Sequence, residues 1–139
     1  MIEGNQFEES VRAYFDFLTV EFGFKLSEVK IRGNAFYDVQ YKDNTRVVSI
    51  SYENIEDYLL VIIFMLQNGE MPDYDDKTKT LHLNRLNPIV LSKVDKNEIT
   101  LNNEFFSRFQ TKNPFERKLL KSAKELRVCL KHFKELQSH

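Results

Sequence analysis

Between Lys25 and Tyr52 the apolar residues fall on alternate positions: Val29 and Ile31, then Tyr37, Val39 and Tyr41, then Val48, Ile50 and Tyr52. A period of two is that of a strand with one face toward a core, and a helix would scatter these residues around its circumference. Arg32-Gly33-Asn34 and Lys42-Asp43-Asn44-Thr45 interrupt the alternation with turn-forming residues, so a three-stranded meander is predicted. Asp38, Gln40, Ser49 and Ser51 take the intervening positions, which predicts one wet face. The next segment, Asn54 to Gly69, is open to two readings, since Asn54 with Asp57 has the spacing of a helix cap and Asn68-Gly69 suits a helix end. Val61, Ile62 and Ile63 are β-branched neighbours, and a short turn extends the meander with least rearrangement, so a fourth strand is favoured over 58–66. Both of its faces, Leu60/Ile62/Phe64 and Leu59/Val61/Ile63/Met65, are apolar. Each therefore needs a cover, from the C-terminal segments or from a second subunit.

Helical spacing brackets this sheet. Phe7, Val11, Tyr14, Phe15, Leu18 and Phe22 share a helical face, Asn5 and Glu8 have capping-box spacing, and Gly23 suits a left-handed C-terminal cap with Phe24 folded back. Near the other end, Asn113 reads as an N-cap with Pro114 at the first helical position and Glu116 at the third. The helix that follows carries Leu119, Ala123, Leu126, Leu130 and Phe133 on one face to about Leu136. Between them Glu70 to Lys79 is a polar loop, and Leu81, Leu83 and Leu86 mark a short element that Asn87-Pro88 is expected to end. Residues 89–112 carry no legible pattern. The 139 residues suit one domain, so the expected fold is a single α+β domain over 1–139: an antiparallel sheet of about four strands in a meander, with an N-terminal helix and a long C-terminal helix packed on it.

Composition narrows the function classes. The longest apolar stretch, Tyr58 to Leu66, is far shorter than the ~20 residues a membrane helix needs. Met1-Ile2-Glu3-Gly4-Asn5 lacks the basic start of a signal peptide, and the lone Cys129 fits a reducing compartment, so a cytoplasmic location is expected. No phosphate-cradling, nucleophile-elbow or zinc-protease motif is present, and His82, His132, His139 and Cys129 share no metal-ligand spacing. A protein without catalysis, cofactor or bound metal is expected. Cys129 and His132 lie three apart on a helix, and the bland reading is a packing thiol beside a surface imidazole.

Charge supplies the candidate binding residues. Up to residue 80 there are 15 acidic and 8 basic side chains, a balance of −7, and from 81 onward 6 acidic and 12 basic, a balance of +6. In the acidic half, Glu70, Asp73, Asp75 and Asp76 with Tyr74 form a loop that lacks the order of a calcium loop; a solvated acidic loop is its default reading, and a recognition patch for a basic partner is the sharper one. Sheet tyrosines Tyr41 and Tyr52, if on the wet face, would add protein-binding area, because such rings contribute disproportionately to interfaces. In the basic half, Arg117, Lys121, Lys124 and Lys131 stand opposite the apolar stripe of the last helix. A solvated helix face is their default reading, and nucleic-acid binding is the alternative.

The run from Phe15-Asp16-Phe17-Leu18 through Glu21-Phe22-Gly23-Phe24, then Val39-Gln40-Tyr41, Val47-Val48-Ser49-Ile50-Ser51-Tyr52-Glu53 and Tyr58-Leu59-Leu60-Val61-Ile62-Ile63, resembles the small bacterial immunity proteins of polymorphic-toxin and contact-dependent inhibition systems. The resemblance spans about residues 7–66 and rests on apolar and aromatic order, so it transfers no site residue. It implies a cytoplasmic antitoxin with no catalysis of its own that binds one cognate toxin by shape and charge. The expected partner is a basic toxin domain whose active site is occluded, and the sequence leaves monomer and homodimer both open.

Overall fold

Each cluster of turn residues between the alternating segments closes a hairpin. The computed structural model describes residues 2–137 and divides into two compact units, Met1–His82 and Leu83–His139. The division falls almost where the charge changes sign, so the first unit carries the excess of carboxylates and the second the excess of cations.

The first unit is an antiparallel sheet of five strands in sequence order: β1 (Lys25–Arg32), β2 (Phe36–Lys42), β3 (Arg46–Glu53), β4 (Tyr58–Met65) and β5 (Thr80–His82). Segment 58–66 is thus a strand, and β5 is one more than the sequence suggested. Pairing places Tyr37 opposite Tyr52, Val39 opposite Ile50 and Tyr41 opposite Val48, with Leu59, Val61 and Ile63 continuing that face on β4. Helix α1 (Gly4–Tyr14) packs on β2 from this side, and the Phe7 ring lies 5.5 Å from that of Tyr37 and 6.1 Å from that of Tyr52. Burying a phenyl side chain so completely contributes about 1.5–3 kcal/mol.

Two details of the first helix differ from the sequence reading. The helix begins at Gly4 behind Glu3, one residue ahead of the proposed Asn5/Glu8 box, so Asn5 lies within the helix, and Glu8 pairs with Arg12 at 3.0 Å. It also breaks at Phe15-Asp16 and resumes as α2 (Phe17–Val20). Phe15 and Phe17 are both buried yet stand roughly 160° apart around a straight helix, wider than one ~100° stripe, and the break lets both go inward. Gly23 then takes the left-handed conformation expected of it (φ 75°), and the Phe24 N–H donates to the Leu18 carbonyl at 2.8 Å.

A buried polar knot ties the start of the chain to the sheet. The Asn54 amide donates to the carbonyls of Ile2 and Asn34, both at 2.7 Å, and lies 3.0 Å from the Tyr37 hydroxyl, which itself donates to Ile2 at 2.6 Å. Asn54 is therefore not a helix cap.

The second unit is helical: α3 (Leu83–Leu91), α4 (Lys96–Phe105), α5 (Pro114–Lys131) and α6 (Phe133–Gln137), with α3 and α4 both packing on α5. Asn113 caps α5 as expected, accepting from the Glu116 N–H at 2.8 Å while Glu116 reaches back to the Lys112 N–H at 2.7 Å. Asn87-Pro88 does not end α3, which continues to Leu91. Pro88 forgoes one backbone bond, and the buried stripe Leu83, Leu86 and Val90 holds the helix across it. Among the described residues no helix is long and apolar enough to cross a membrane.

Candidate functional site

The face of the sheet turned away from α1 is built from the alternate residues of β2, β3 and β4. Pairing puts Asp38 opposite Ser51 and Gln40 opposite Ser49, so these four form a polar column, beside which Leu60 and Ile62 stand opposite Ser51 and Ser49. Tyr58, Leu60, Ile62 and Phe64 make a parallel apolar column, and Val47, Ile62 and Phe64 form a buried cluster with Leu60 and Leu66 against it. The two columns are the floor of a groove of about 300 Å³.

One wall of the groove is the loop that follows β4. Asn68 and Gly69, both at positive φ (53° and 80°), form a two-residue turn closed by reciprocal Gln67–Glu70 backbone bonds. The loop then folds back to β5: the Asp76 carboxylate accepts from the Thr78 hydroxyl at 2.6 Å and N–H at 3.0 Å, and the Thr80 hydroxyl donates to the Asp73 carbonyl at 2.8 Å. Those Thr78 bonds hold the Asp76 carboxyl below its usual pKa. So anchored, the loop places Met71 and Tyr74 along the groove, with the Tyr74 ring edge-on to His82 at 5.8 Å. The doubly apolar strand therefore has part of its second cover in its own loop, a source the sequence reading did not name.

Polar residues on this face were expected to be wet, yet Asp38 and Ser49 are each only 7% exposed. They are satisfied by one another: Ser49 Oγ donates to Asp38 Oδ1 at 2.7 Å, and Gln40 Nε2 donates to Asp38 Oδ2 at 2.7 Å. Around this buried carboxylate the rim is apolar and open, with Tyr58 49%, Met71 48% and Tyr74 57% exposed. Phe36 and Glu53 line the groove and also a neighbouring hollow with Ile55, Glu56 and Arg32, whose guanidinium lies 5.8 Å over the Phe36 ring. Aromatic side chains and methionine are the types enriched where proteins bind proteins.

No family model, curated protein or solved structure matches the chain. The groove must therefore be read from its own chemistry.

Of the residues proposed from sequence, the loop set is on the surface. Glu70, Asp73 and Asp75 are exposed, Asp76 is half-buried in its turn, and Tyr74 lines the groove between Asp73 and Asp75. Tyr41 and Tyr52 are corrections. They occupy the α1 face, only 3% and 4% exposed, because alternation puts them in step with Tyr37 and Val39, and burial pushes the Tyr41 phenol up to about 12. Tyr52 instead donates to Asp57 Oδ1 at 2.6 Å. Asp38, Gln40, Phe36, Tyr58 and Met71 were not among the proposed site residues. Their signal was the in-step alternation of Phe36/Asp38/Gln40 with Tyr58/Leu60/Ile62, which marks a shared face without marking its depth.

In the second unit Arg117, Lys121 and Lys131 are exposed and Lys124 is half-buried on α5. Arg127 departs from that solvated face: it is buried, donates to Asn102 Oδ1 at 2.8 Å and lies 3.7 Å over the Phe105 ring. Cys129 is fully buried, and its thiol is pushed up to about 12, first by burial and then by Glu125. His132 is committed elsewhere, Nε2 to Glu98 at 2.6 Å and Nδ1 to Glu135 at 3.2 Å. Among the described residues no three His, Cys, Asp or Glu converge to hold a metal ion, and His139 lies outside them.

Proposed function

We propose that this protein binds a basic protein partner on the grooved face of its sheet, and that it is an immunity protein whose partner is a bacterial toxin. The observation that carries the reading is the groove itself: an open rim of Tyr58, Met71 and Tyr74 around a buried carboxylate, on the unit with the acidic excess. A rim of exposed aromatic side chains and methionine supplies contact area, and the surrounding carboxylates steer a cationic surface and discriminate against acidic ones. The resemblance of residues 7–66 to immunity proteins gives the partner its class, and binding over a toxin's active site gives the outcome, inhibition without chemistry by the inhibitor. Such a protein works in the cytoplasm of the cell it protects.

The test is co-expression of the full chain with the product of the adjacent gene, followed by gel filtration and calorimetry. A nanomolar complex that abolishes the product's toxicity, weakened at least about tenfold by Met71→Ala/Tyr74→Ala, is expected. No association at micromolar concentration overturns the proposal. The exposed Arg117, Lys121 and Lys131 on the basic unit support a second reading, nucleic-acid association. Retention on DNA or RNA that falls with salt and is lost in Lys121→Glu/Lys124→Glu would favour it.

A further inference from the structure

We infer that Asp38 is the receptor for an arginine side chain that the partner inserts into the groove, an assignment that rests on the docking reading above. An ionised carboxylate offers about four acceptor positions. Asp38 uses one on each oxygen, for Ser49 and for Gln40, and both donors are neutral. No lysine, arginine or histidine among the described residues pairs with it. Lys30 is its partner in register across β1 and β2, yet the Lys30 ammonium lies 3.7 Å from Glu28 Oε1. A carboxylate so deeply buried and held only by neutral donors lacks the charge compensation that buried ions ordinarily have.

The groove's shape selects the cation. A free acceptor position on each oxygen matches the two parallel N–H groups of a guanidinium, which a point-like ammonium does not reproduce. Phe36, Tyr58 and Tyr74 line the groove together with Leu60 and Met71, and Arg32 of this chain already lies 5.8 Å over the Phe36 ring, which leaves Tyr58 and Tyr74 as the aromatic neighbours of an incoming cation and its methylene stem. A volume of about 300 Å³ is at the small end of ligand sites and has room for one long side chain. Ser49 and Gln40 fix the carboxylate in advance, so its ordering cost is met before the partner arrives.

The experiment titrates the full-length protein, labelled for amide NMR, with three probe peptides: acetyl-Leu-Arg-Leu-amide and its citrulline and lysine counterparts. The arginine peptide is expected to shift the Asp38, Ser49 and Leu60 amides, with citrulline weaker by about tenfold or more and lysine intermediate. Asp38→Asn, whose folding is checked by tyrosine fluorescence, is expected to erase the preference for arginine over citrulline. Equal binding of arginine and citrulline peptides, or no shift at these residues at about 10 mM peptide, overturns the assignment. Since citrulline removes the charge from the ligand, the result does not depend on the variant folding. A toxin that binds wild type and Asp38→Asn equally also overturns the arginine assignment while leaving the docking reading intact. Arginine selectivity without any toxin complex would retain Asp38 as a receptor and remove the immunity reading.

Discussion

Replacing Asn54 by alanine tests whether the polar knot beneath α1 holds the first unit together. The side chain makes three donor contacts at 2.7, 2.7 and 3.0 Å, but an amide has two hydrogens, so these amount to two full bonds, beside a long bond of 3.3 Å that its Oδ1 accepts from the Ile2 N–H. At roughly 1 kcal/mol each, their loss costs about 2 kcal/mol. The Ile2 carbonyl keeps the Tyr37 hydroxyl at 2.6 Å, whereas the Asn34 carbonyl loses the Asn54 amide, which adds up to about 1 kcal/mol. The expected destabilisation is thus about 2–3 kcal/mol, or a fall of about 2 M in the urea midpoint for a unit of this size. All six tyrosines of the chain lie before residue 82, so tyrosine fluorescence follows this unit specifically. Asn54→Asp adds a pH signature. One carboxyl oxygen would keep the long bond from the Ile2 N–H, while the other would face the Ile2 and Asn34 carbonyl oxygens at much closer range, which favour the protonated form and raise the folded-state pKa above the ordinary value near 4. The variant is then most stable at acid pH and loses stability as pH rises through that raised value. A midpoint shift below about 0.5 M for Asn54→Ala would refute the assignment of the knot as a structural tie.

Three further outcomes concern the helical unit. Partial burial alone would lower the His132 pKa, but hydrogen bonds to Glu98 and Glu135 outweigh it and hold it above the ordinary value. The contribution, about 0.5–1 kcal/mol, is therefore complete below pH ~6.5 and lost as pH rises through the raised value, and stability of His132→Gln followed by circular dichroism should lack this slope. Cys129, fully buried with its thiol pushed up to about 12, should resist a disulfide reagent at pH 8 until the unit opens, and labelling within seconds in native buffer would contradict this. Asp95 accepts from the Glu98 N–H at 2.9 Å, so Asp95→Ala should lower helical-unit stability by about 1 kcal/mol, with no change read by tyrosine fluorescence.

The legibility of these elements follows from the range of the forces that make them. The start of helix α5 was readable to the residue because Asn113, Pro114 and Glu116 act on their own backbone, whereas its end was not: a helix expected to reach about Leu136 stops at Lys131 and resumes as α6. The same logic was available at Asp95, which caps α4 by accepting from the Glu98 N–H, but the surrounding residues 89–112 bury few side chains and so lack the apolar period that draws attention to a helix. Pro88 misled for the opposite reason: a local penalty was assigned to a boundary, while packing of Leu83, Leu86 and Val90 decided the outcome. For the sheet, alternation assigned residues to faces correctly, and Tyr37, Tyr41 and Tyr52 share one as their spacing requires.

What alternation cannot supply is depth. Asp38, Gln40, Ser49 and Ser51 are polar, and polar residues on one side of a strand ordinarily mean solvent. Here the loop after β4, folded back through Asp76 and Thr80, walls that side with Met71 and Tyr74, while Asp38 and Ser49 satisfy each other beneath. A loop pinned by its own side chains thus turns a face that reads as surface into the floor of a groove. The chemistry of the site is then set by a residue whose type argues for exposure and whose neighbours enforce burial. That conflict between type and depth gives Asp38 its capacity to bind: an exposed carboxylate would be answered by water, and a buried one held only by neutral donors is left to be answered by a ligand.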